Sequence, residues 1–464
     1  MLYGLKRSTL TGFGRDQTLT HHPKSSITTK RLTVRYLSAV RILSLLWLGS
    51  IMGAGCAFLT QVLLARELGP TAFGVFATSL AMVTMAAPLA SFGIGGFWLK
   101  LFGQEGWLGR RWFKSSLRYT ALTTILLLSV VLVWAAIGPH DTITRSLLML
   151  LATYLLGQVA LELVSAKLQL EERYLSLAMW QFMPHLLRLL FVSLLAFYTV
   201  NVMTLHSIAL SYASISIGMF GLGCVVMWRM YNGQFSLKGH GPLLATPSAD
   251  LATVTMKQVA GQSWPFGLAG VFYLIYFQSD VIILKYISGD EAAGIYNVAF
   301  VIMTAVYILP SVIYQKFLMP KIHRWANNDR EMFYKVYRKG NCVLLLLGLV
   351  AMIAIWLLAP WAIKLLFGDQ YGAAISVLAI LALAAPVRFT AANVGATLVT
   401  SDNMRLKVKL MAATAATNII LNILLIPPLG LNGAAIATVA SDLLLLSLYI
   451  VSANHSVFKE FKVR

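Results

Sequence analysis

Twelve apolar blocks of about 20 residues run through this chain, each the length a helix needs to cross roughly 30 Å of hydrocarbon. They cover approximately Ile42–Leu64, Val75–Leu99, Tyr119–Ile137, Ser146–Ala166, Leu177–Tyr198, Ser207–Trp228, Ser263–Leu284, Ile295–Tyr314, Asn341–Ile363, Ala373–Val399, Leu410–Ile426 and Gly433–Ala453. Of the 464 residues, 58% are hydrophobic and only 12% are charged, whereas soluble domains carry about 25% charged residues. A water-soluble fold of this length could not cover itself, so lipid must replace the missing polar surface. The expected fold is an all-α integral membrane protein of about twelve transmembrane helices.

A net charge of +20 would suggest nucleic acid as the partner of a soluble protein, but the charges sit where topology puts them. With the N-terminus inside, 31 of the 37 Lys and Arg fall on that same side. Four (Arg66, Arg145, Lys285 and Lys364) fall on the other side, and Arg188 and Arg388 lie within helices. Cationic loops stay in the cytoplasm, so the bias predicts a multi-pass protein with both termini cytoplasmic and no nucleic-acid partner. Cys56, Cys224 and Cys342 all lie inside apolar blocks with no paired spacing, which argues against a disulfide framework or a zinc site.

Residues 1–41 read as a basic cytoplasmic tail without fixed structure, rich in Ser and Thr, with eight Lys or Arg against Asp16. Residues 42–228 then hold six helices, 229–262 a cytoplasmic linker, 263–453 six more helices and 454–464 a second tail. The linker carries Gly239, Gly241, Pro242, Pro247 and Ser248, residues that punctuate chains between domains. An internal repeat supports the split. Leu68-Gly-Pro-Thr-Ala-Phe-Gly-Val-Phe76 follows the first block, and Ser288-Gly-Asp-Glu-Ala-Ala-Gly-Ile-Tyr296 follows the seventh. Six is even, so the halves share one orientation and are related by an axis along the membrane normal.

These segments carry a family resemblance, together with Ser279-Asp280, Pro310, Met319-Pro-Lys321, Phe367-Gly-Asp-Gln-Tyr371 and Pro428-Leu-Gly-Leu-Asn-Gly-Ala-Ala435. The chain resembles the polysaccharide (O-antigen repeat-unit) flippases of the multidrug/oligosaccharidyl-lipid/polysaccharide exporter superfamily, over nearly its whole length after the tail. The resemblance implies two six-helix bundles around a central cavity. It implies alternating-access translocation of undecaprenyl-pyrophosphate-linked oligosaccharide across a bacterial cytoplasmic (inner) membrane. The partners implied are the lipid-linked oligosaccharide, membrane lipid and other membrane proteins of polysaccharide assembly.

Charges inside a bilayer cost about 2.5–3.5 kcal/mol each on the insertion scale, so each asks for a reason. Arg188, with His185 one turn earlier on the same face, could grip a diphosphate in a bidentate manner that lysine cannot reproduce; a buried ion pair with Glu162 is the structural alternative. Arg388 offers the same chemistry, or snorkels toward the inner surface. Asp280 could receive a coupling proton or Na⁺, or bond to backbone or Lys285 near the interface; its position also matches the family pattern. Glu162 is a second ion-coupling candidate, with a solvated helix end as the alternative. Arg66 could touch substrate at the outer mouth, or pair with Glu67 in solvent. Asp442 reads as a helix-to-helix hydrogen bond, while Asn393, Asn418 and Asn422 could bind sugar hydroxyls or equally serve as helix-to-helix contacts.

The absences exclude whole classes. No Gly-x-x-x-x-Gly-Lys-Ser/Thr loop occurs to cradle ATP phosphates, no cluster of metal ligands appears, and no large external loop exists to house an enzyme site. The reading is a non-enzymatic transporter without a cofactor. Its alternatives are a cation-coupled multidrug exporter, which an acidic cavity would favour, and a non-transport membrane component of polysaccharide assembly.

Overall fold

The structure, a computed structural model, describes residues 25–198, 204–238, 254–311, 329–400 and 403–459. Residues 1–42 form one compact unit and residues 43–464 another. Of the tail expected to lack structure, residues 25–41 are helical, and residues 1–24 lie outside the described residues. So do the linker's Gly239, Gly241, Pro242, Pro247 and Ser248, and the Met319-Pro-Lys321 motif.

The unit 43–464 is built of helices, with no strand among the described residues. Among the described residues, eight continuous helical stretches are long and apolar enough to cross a membrane, and one helix pair bent by 41° makes a ninth. The stretch Trp47–Ile137 has 91 residues and Met404–Val457 has 54, far beyond the about 20 that one crossing takes. Backbone breaks divide them into three passes and two, so the nine become twelve.

The passes are α1 (residues 43–68), α2 (70–91, continued by Ile94–Glu105), α3 (Phe113–Ile137), α4 (Thr142–Leu170), α5 (Tyr174–Tyr198) and α6 (Leu205–Tyr231). After them come α7 (Met256–Ser288), α8 (Asp290–Ser311), α9 (Arg330–Phe367), α10 (Ala374–Ala382 bent into Ala384–Thr400), α11 (404–429) and α12 (431–452).

The breaks fall where the chain has glycine. Gly69 has φ 72° and ψ 171° and precedes Pro70, whose ring cannot continue the α1 hydrogen bonds but suits the first turn of α2. Gly289, between α7 and α8, has φ 92° and ψ 175°. The two repeat glycines thus adopt one conformation, a backbone region open only to glycine, and the sequence repeat is a structural repeat. Thr204 and Thr255 cap α6 and α7, each in a reciprocal bond with the third helical residue.

Large apolar side chains such as Leu122, Ile125 and Leu126 on α3, and Leu346, Val350 and Leu357 on α9, remain exposed. Lipid is the solvent that makes such a surface stable. Inside, the packing is uneven along the membrane normal. At the end poor in Lys and Arg, one apolar core draws on both halves, including Phe73, Phe76, Tyr296, Phe367 and Tyr371. At the basic end the core divides, one cluster around Trp98, Phe102 and Phe113 of the first half and another around Phe333, Tyr337 and Phe389 of the second. The fold is all-α, with two pseudo-symmetric six-helix bundles around a central cavity.

Candidate functional site

The cavity lies between the bundles, in a space of about 610 Å³ bounded by α1, α2, α4, α5 and α6 on one side and α7 and α8 on the other. Gly49 and Gly53 let α1 lie close to α5: a Cβ on Gly49 would stand 2.9 Å from the Ala178 Cβ, and one on Gly53 would stand 3.5 Å from the His185 ring. That approach puts Arg188 and His185 of α5 into the cavity wall, with Gln61, Gln181, Gln278 and Asn297.

Arg188 is buried and its guanidinium carbon lies over two rings, 4.8 Å from the Tyr154 centroid and 4.9 Å from that of Tyr212. The rings hold the cation without neutralising it. Its Nε has no hydrogen-bond partner, and no carboxylate lines this cavity among the described residues. The ion pair with Glu162 that sequence left open does not form. Glu162 instead accepts from the Ser91 hydroxyl and, at 3.1 Å, from the Gly95 amide in the first turn of the second α2 segment. It lines an adjoining space of about 620 Å³ that shares Thr84, Tyr154, Leu161 and Gln181 with the central cavity. A helix N-terminus and a hydroxyl hold this carboxylate, in place of the solvated helix end.

Asp280 sits deep in the second bundle. It accepts from Tyr296 (2.9 Å) and Thr438 on one oxygen and from Asn422 (2.6 Å) on the other. Ser279 donates to Asn418 at 2.8 Å, and Asn418 Nδ2 and Asn422 Oδ1 have no hydrogen-bond partner among the described residues. Lys285 is elsewhere engaged, with Asp290 and, at 3.8 Å, Asp141. Hydrogen-bond donors from α8, α11 and α12 thus converge on one buried carboxylate of α7, with no cation beside it among the described residues.

Arg388 does not line the cavity. Its Nε donates to Asp442 at 2.6 Å, and Tyr276, Phe277 and Tyr307 surround the guanidinium at 5.3, 4.7 and 4.7 Å. The side chain neither snorkels nor faces the central cavity. Arg66 stands exposed at the end of α1 and is absent from the cavity wall. Asn393 donates to the Tyr337 carbonyl and to Asn341, a helix-to-helix bond.

Two sets of contacts bound the cavity along the membrane normal. At the weakly charged end the repeat segments meet each other: a Cβ on Gly74 would fall 1.8 Å from the Asp290 carbonyl, and one on Gly294 2.0 Å from the Pro70 carbonyl. Beside them the Tyr286 hydroxyl meets His140 Nδ1 at 2.9 Å, and Tyr371 donates to the Ala65 carbonyl at 2.8 Å. Burial, then the nearby Lys285 ammonium, pushes the His140 ring below its ordinary pKa, which favours the neutral ring that this bond uses. Toward the basic end the second contact is backbone on backbone, with Gly93 (φ 72°) against Phe266 and Gly267.

Sequence reasoning found the cations and carboxylates but missed the rings that hold them. Nothing local marks Tyr154, Tyr212 or Tyr296 as different from other membrane tyrosines. The weak signal available was a polar residue within an apolar block, as at Gln61, Gln278 and Asn297.

A family model described as "Polysaccharide biosynthesis protein" matches residues 40–325. Among curated relatives, the "Probable low-salt glycan biosynthesis flippase Agl15" of Haloferax volcanii is 24% identical over 400 residues, 85% of this chain and 79% of the relative. The "Probable flippase AglR" of the same organism is 27% identical over 391 residues, 81% of this chain and 75% of the relative. Among solved structures, the lipid II flippase MurJ in an inward closed conformation aligns with a TM-score of 0.66 at 12% identity, over 88% of this chain and 87% of its own. An inward-facing multidrug resistance MATE transporter aligns at 0.60 and 11%, over 91% and 99%. At these identities the structural likeness is one of fold.

Proposed function

The chain belongs to the polysaccharide biosynthesis protein family, and from that premise we propose that it flips a lipid-linked oligosaccharide across the membrane. The observation that carries the reading is the central cavity, which holds one unpaired arginine and no carboxylate among the described residues. A drug exporter for organic cations needs the opposite sign. A glycan carries many hydroxyls, and drawing them bare through hydrocarbon costs several kcal/mol per unsatisfied group. Gln61, Gln181, Gln278 and Asn297 offer them amide partners, while the polyprenyl tail stays in lipid. Arg188 grips the diphosphate, with His185 one turn away.

The lipid carrier is an undecaprenyl pyrophosphate if the host is bacterial, in an inner membrane with both termini in the cytoplasm. In that orientation the weakly charged end is outside, and the shared core there is the closed outer gate. The bundles open it by parting at Gly74 and Gly294 while pivoting on the contact of Gly93 with Phe266 and Gly267. Asp280 takes the coupling ion, a proton or Na⁺, and Glu162 is a second candidate for coupling.

Reconstitution tests this reading. Purified protein in liposomes should move a fluorescent diphosphate-linked oligosaccharide from a leaflet where added reductant cannot bleach it to one where it can. Failure to accelerate that movement over empty liposomes, with ethidium transported instead, would sink it. In the same assay Asp280→Asn should abolish stimulation by an imposed ion gradient while leaving downhill exchange measurable. Retained stimulation would remove Asp280 from the coupling step.

The gate yields a further expectation. An alanine at Gly294 must push its Cβ against backbone, which cannot swing away, and overpacking of this kind costs about 1–3 kcal/mol. The outer-closed population should fall about 5- to 150-fold relative to open. With Cys56, Cys224 and Cys342 replaced by serine, a thiol introduced at Thr304 of the cavity wall should react faster with an impermeant outside maleimide in Gly294→Ala. Gly55→Ala, where a Cβ meets nothing within 4 Å, is the neutral control.

A further inference from the structure

A second recess lies away from the transport cavity, on the first bundle at the basic end, among α4, α5 and α6. Its volume is about 980 Å³, the upper end of the roughly 300–1,000 Å³ typical of small-molecule sites. Its walls are apolar and open outward: Leu175 and Met179 of α5 and Leu222 of α6 are 60%, 50% and 59% exposed. A surface of that kind at membrane depth faces lipid, and a groove in it fills with lipid chain.

The end of the groove has a different chemistry. Lys167 and Glu171 are both buried and pair at 2.7 Å, cancelling each other. Two guanidiniums remain. Arg229 at the end of α6 is exposed and its side chain has no partner among the described residues, while Arg173 at the start of α5 reaches Ser176, at 3.4 Å, and the far oxygen of Glu171, at 3.9 Å. The segment after α6 closes the rim, fixed by Ser236 N donating to Glu171 at 3.4 Å and Lys238 N donating to the Leu170 carbonyl at 3.2 Å. Trp180 lines the groove with its indole N–H unpartnered among the described residues. Trp228 and Tyr231, 65% and 45% exposed, mark the headgroup level where such rings collect. Arg229 lies between them in sequence.

We propose that this groove binds an anionic glycerophospholipid, with Arg173 and Arg229 on its phosphodiester and an acyl chain laid along Met179, Met183 and Leu222. Charge complementarity selects the occupant. Arg229, with no carboxylate partner among the described residues, and Arg173, which shares Glu171 with Lys167, leave net positive charge at headgroup depth that attracts a lipid whose only charge is its phosphate and repels the ammonium of a zwitterionic one. The inference stands on this surface alone and is independent of what crosses the central cavity.

Bromine on an acyl chain quenches a tryptophan it touches, so Trp180 reports occupancy. The full chain in neutral detergent should be titrated with chain-brominated phosphatidylglycerol and, separately, chain-brominated phosphatidylcholine. The component of quenching lost in Trp180→Phe should saturate with phosphatidylglycerol at a concentration about tenfold or more below that for phosphatidylcholine. Arg173→Gln with Arg229→Gln, both exposed positions, should raise the phosphatidylglycerol midpoint about 30-fold without changing the thermal unfolding of the protein. Equal midpoints for the two lipids, or an unchanged midpoint in the double variant, would overturn the proposal. Displacement of phosphatidylglycerol by a polyprenyl diphosphate at lower concentration than by unlabelled phosphatidylglycerol would also overturn it, because the groove would then be a loading site for the transported lipid.

Discussion

Arg188→Ala is expected to lower the rate of oligosaccharide flipping about 30-fold or more in reconstituted liposomes, with normal insertion and yield. The cavity has no second cation among the described residues to take over, and removing one partner of a desolvated charge pair costs about 2–5 kcal/mol, where 1.4 kcal/mol is tenfold. Arg188 rests on Tyr154 and Tyr212 and makes no ion pair, so its loss leaves no buried carboxylate stranded. Stability and transport should therefore separate. Arg188→Lys keeps the charge but loses the planar fork and the stacking on both rings, and should fall between the two. An alanine variant that flips at the parental rate would remove the diphosphate grip from the mechanism.

Arg388 should behave in the opposite way. Arg388→Met leaves Asp442 charged and buried, with its Oδ1 already lacking a partner, and breaking a buried pair from one side costs about 3–5 kcal/mol. The melting temperature in detergent should drop well below that of the parent. Arg388→Met combined with Asp442→Leu removes both charges and should recover most of the loss, because an apolar pair of similar volume often matches a buried ion pair in stability. If the double variant is no more stable than the single one, the pair is not the reason Arg388 is buried. If the single variant is fully stable but transports nothing, Arg388 has a role in the cycle that the Asp442 contact does not convey.

The contrast between these two arginines shows how far sequence alone reaches. Both stand inside apolar blocks, and both offered the same guanidinium chemistry and the same cost of burial. Only the packing of α5 against α1, and of α10 against α12, separated a cation aimed into a cavity from one locked to a carboxylate. Asp280 was legible as a charge in α7 near the repeat, and its match to the family pattern pointed the same way. Its partners Tyr296, Asn422 and Thr438 come from three other helices and left no local trace.

By itself the sequence determined that this chain lives in lipid, crosses it about twelve times and repeats itself after six crossings. Each of those properties is one-dimensional: block length is set by bilayer thickness, loop charge by topology, and the repeat glycines by a backbone angle that other residues avoid. What faces the cavity, which charges pair and where the bundles touch were decided only by tertiary structure. Those depend on the rotation of each helix about its axis and on contacts such as Gly74 with Gly294, 220 positions apart, and a hydropathy pattern that is apolar all round a helix carries no mark of which face turns inward.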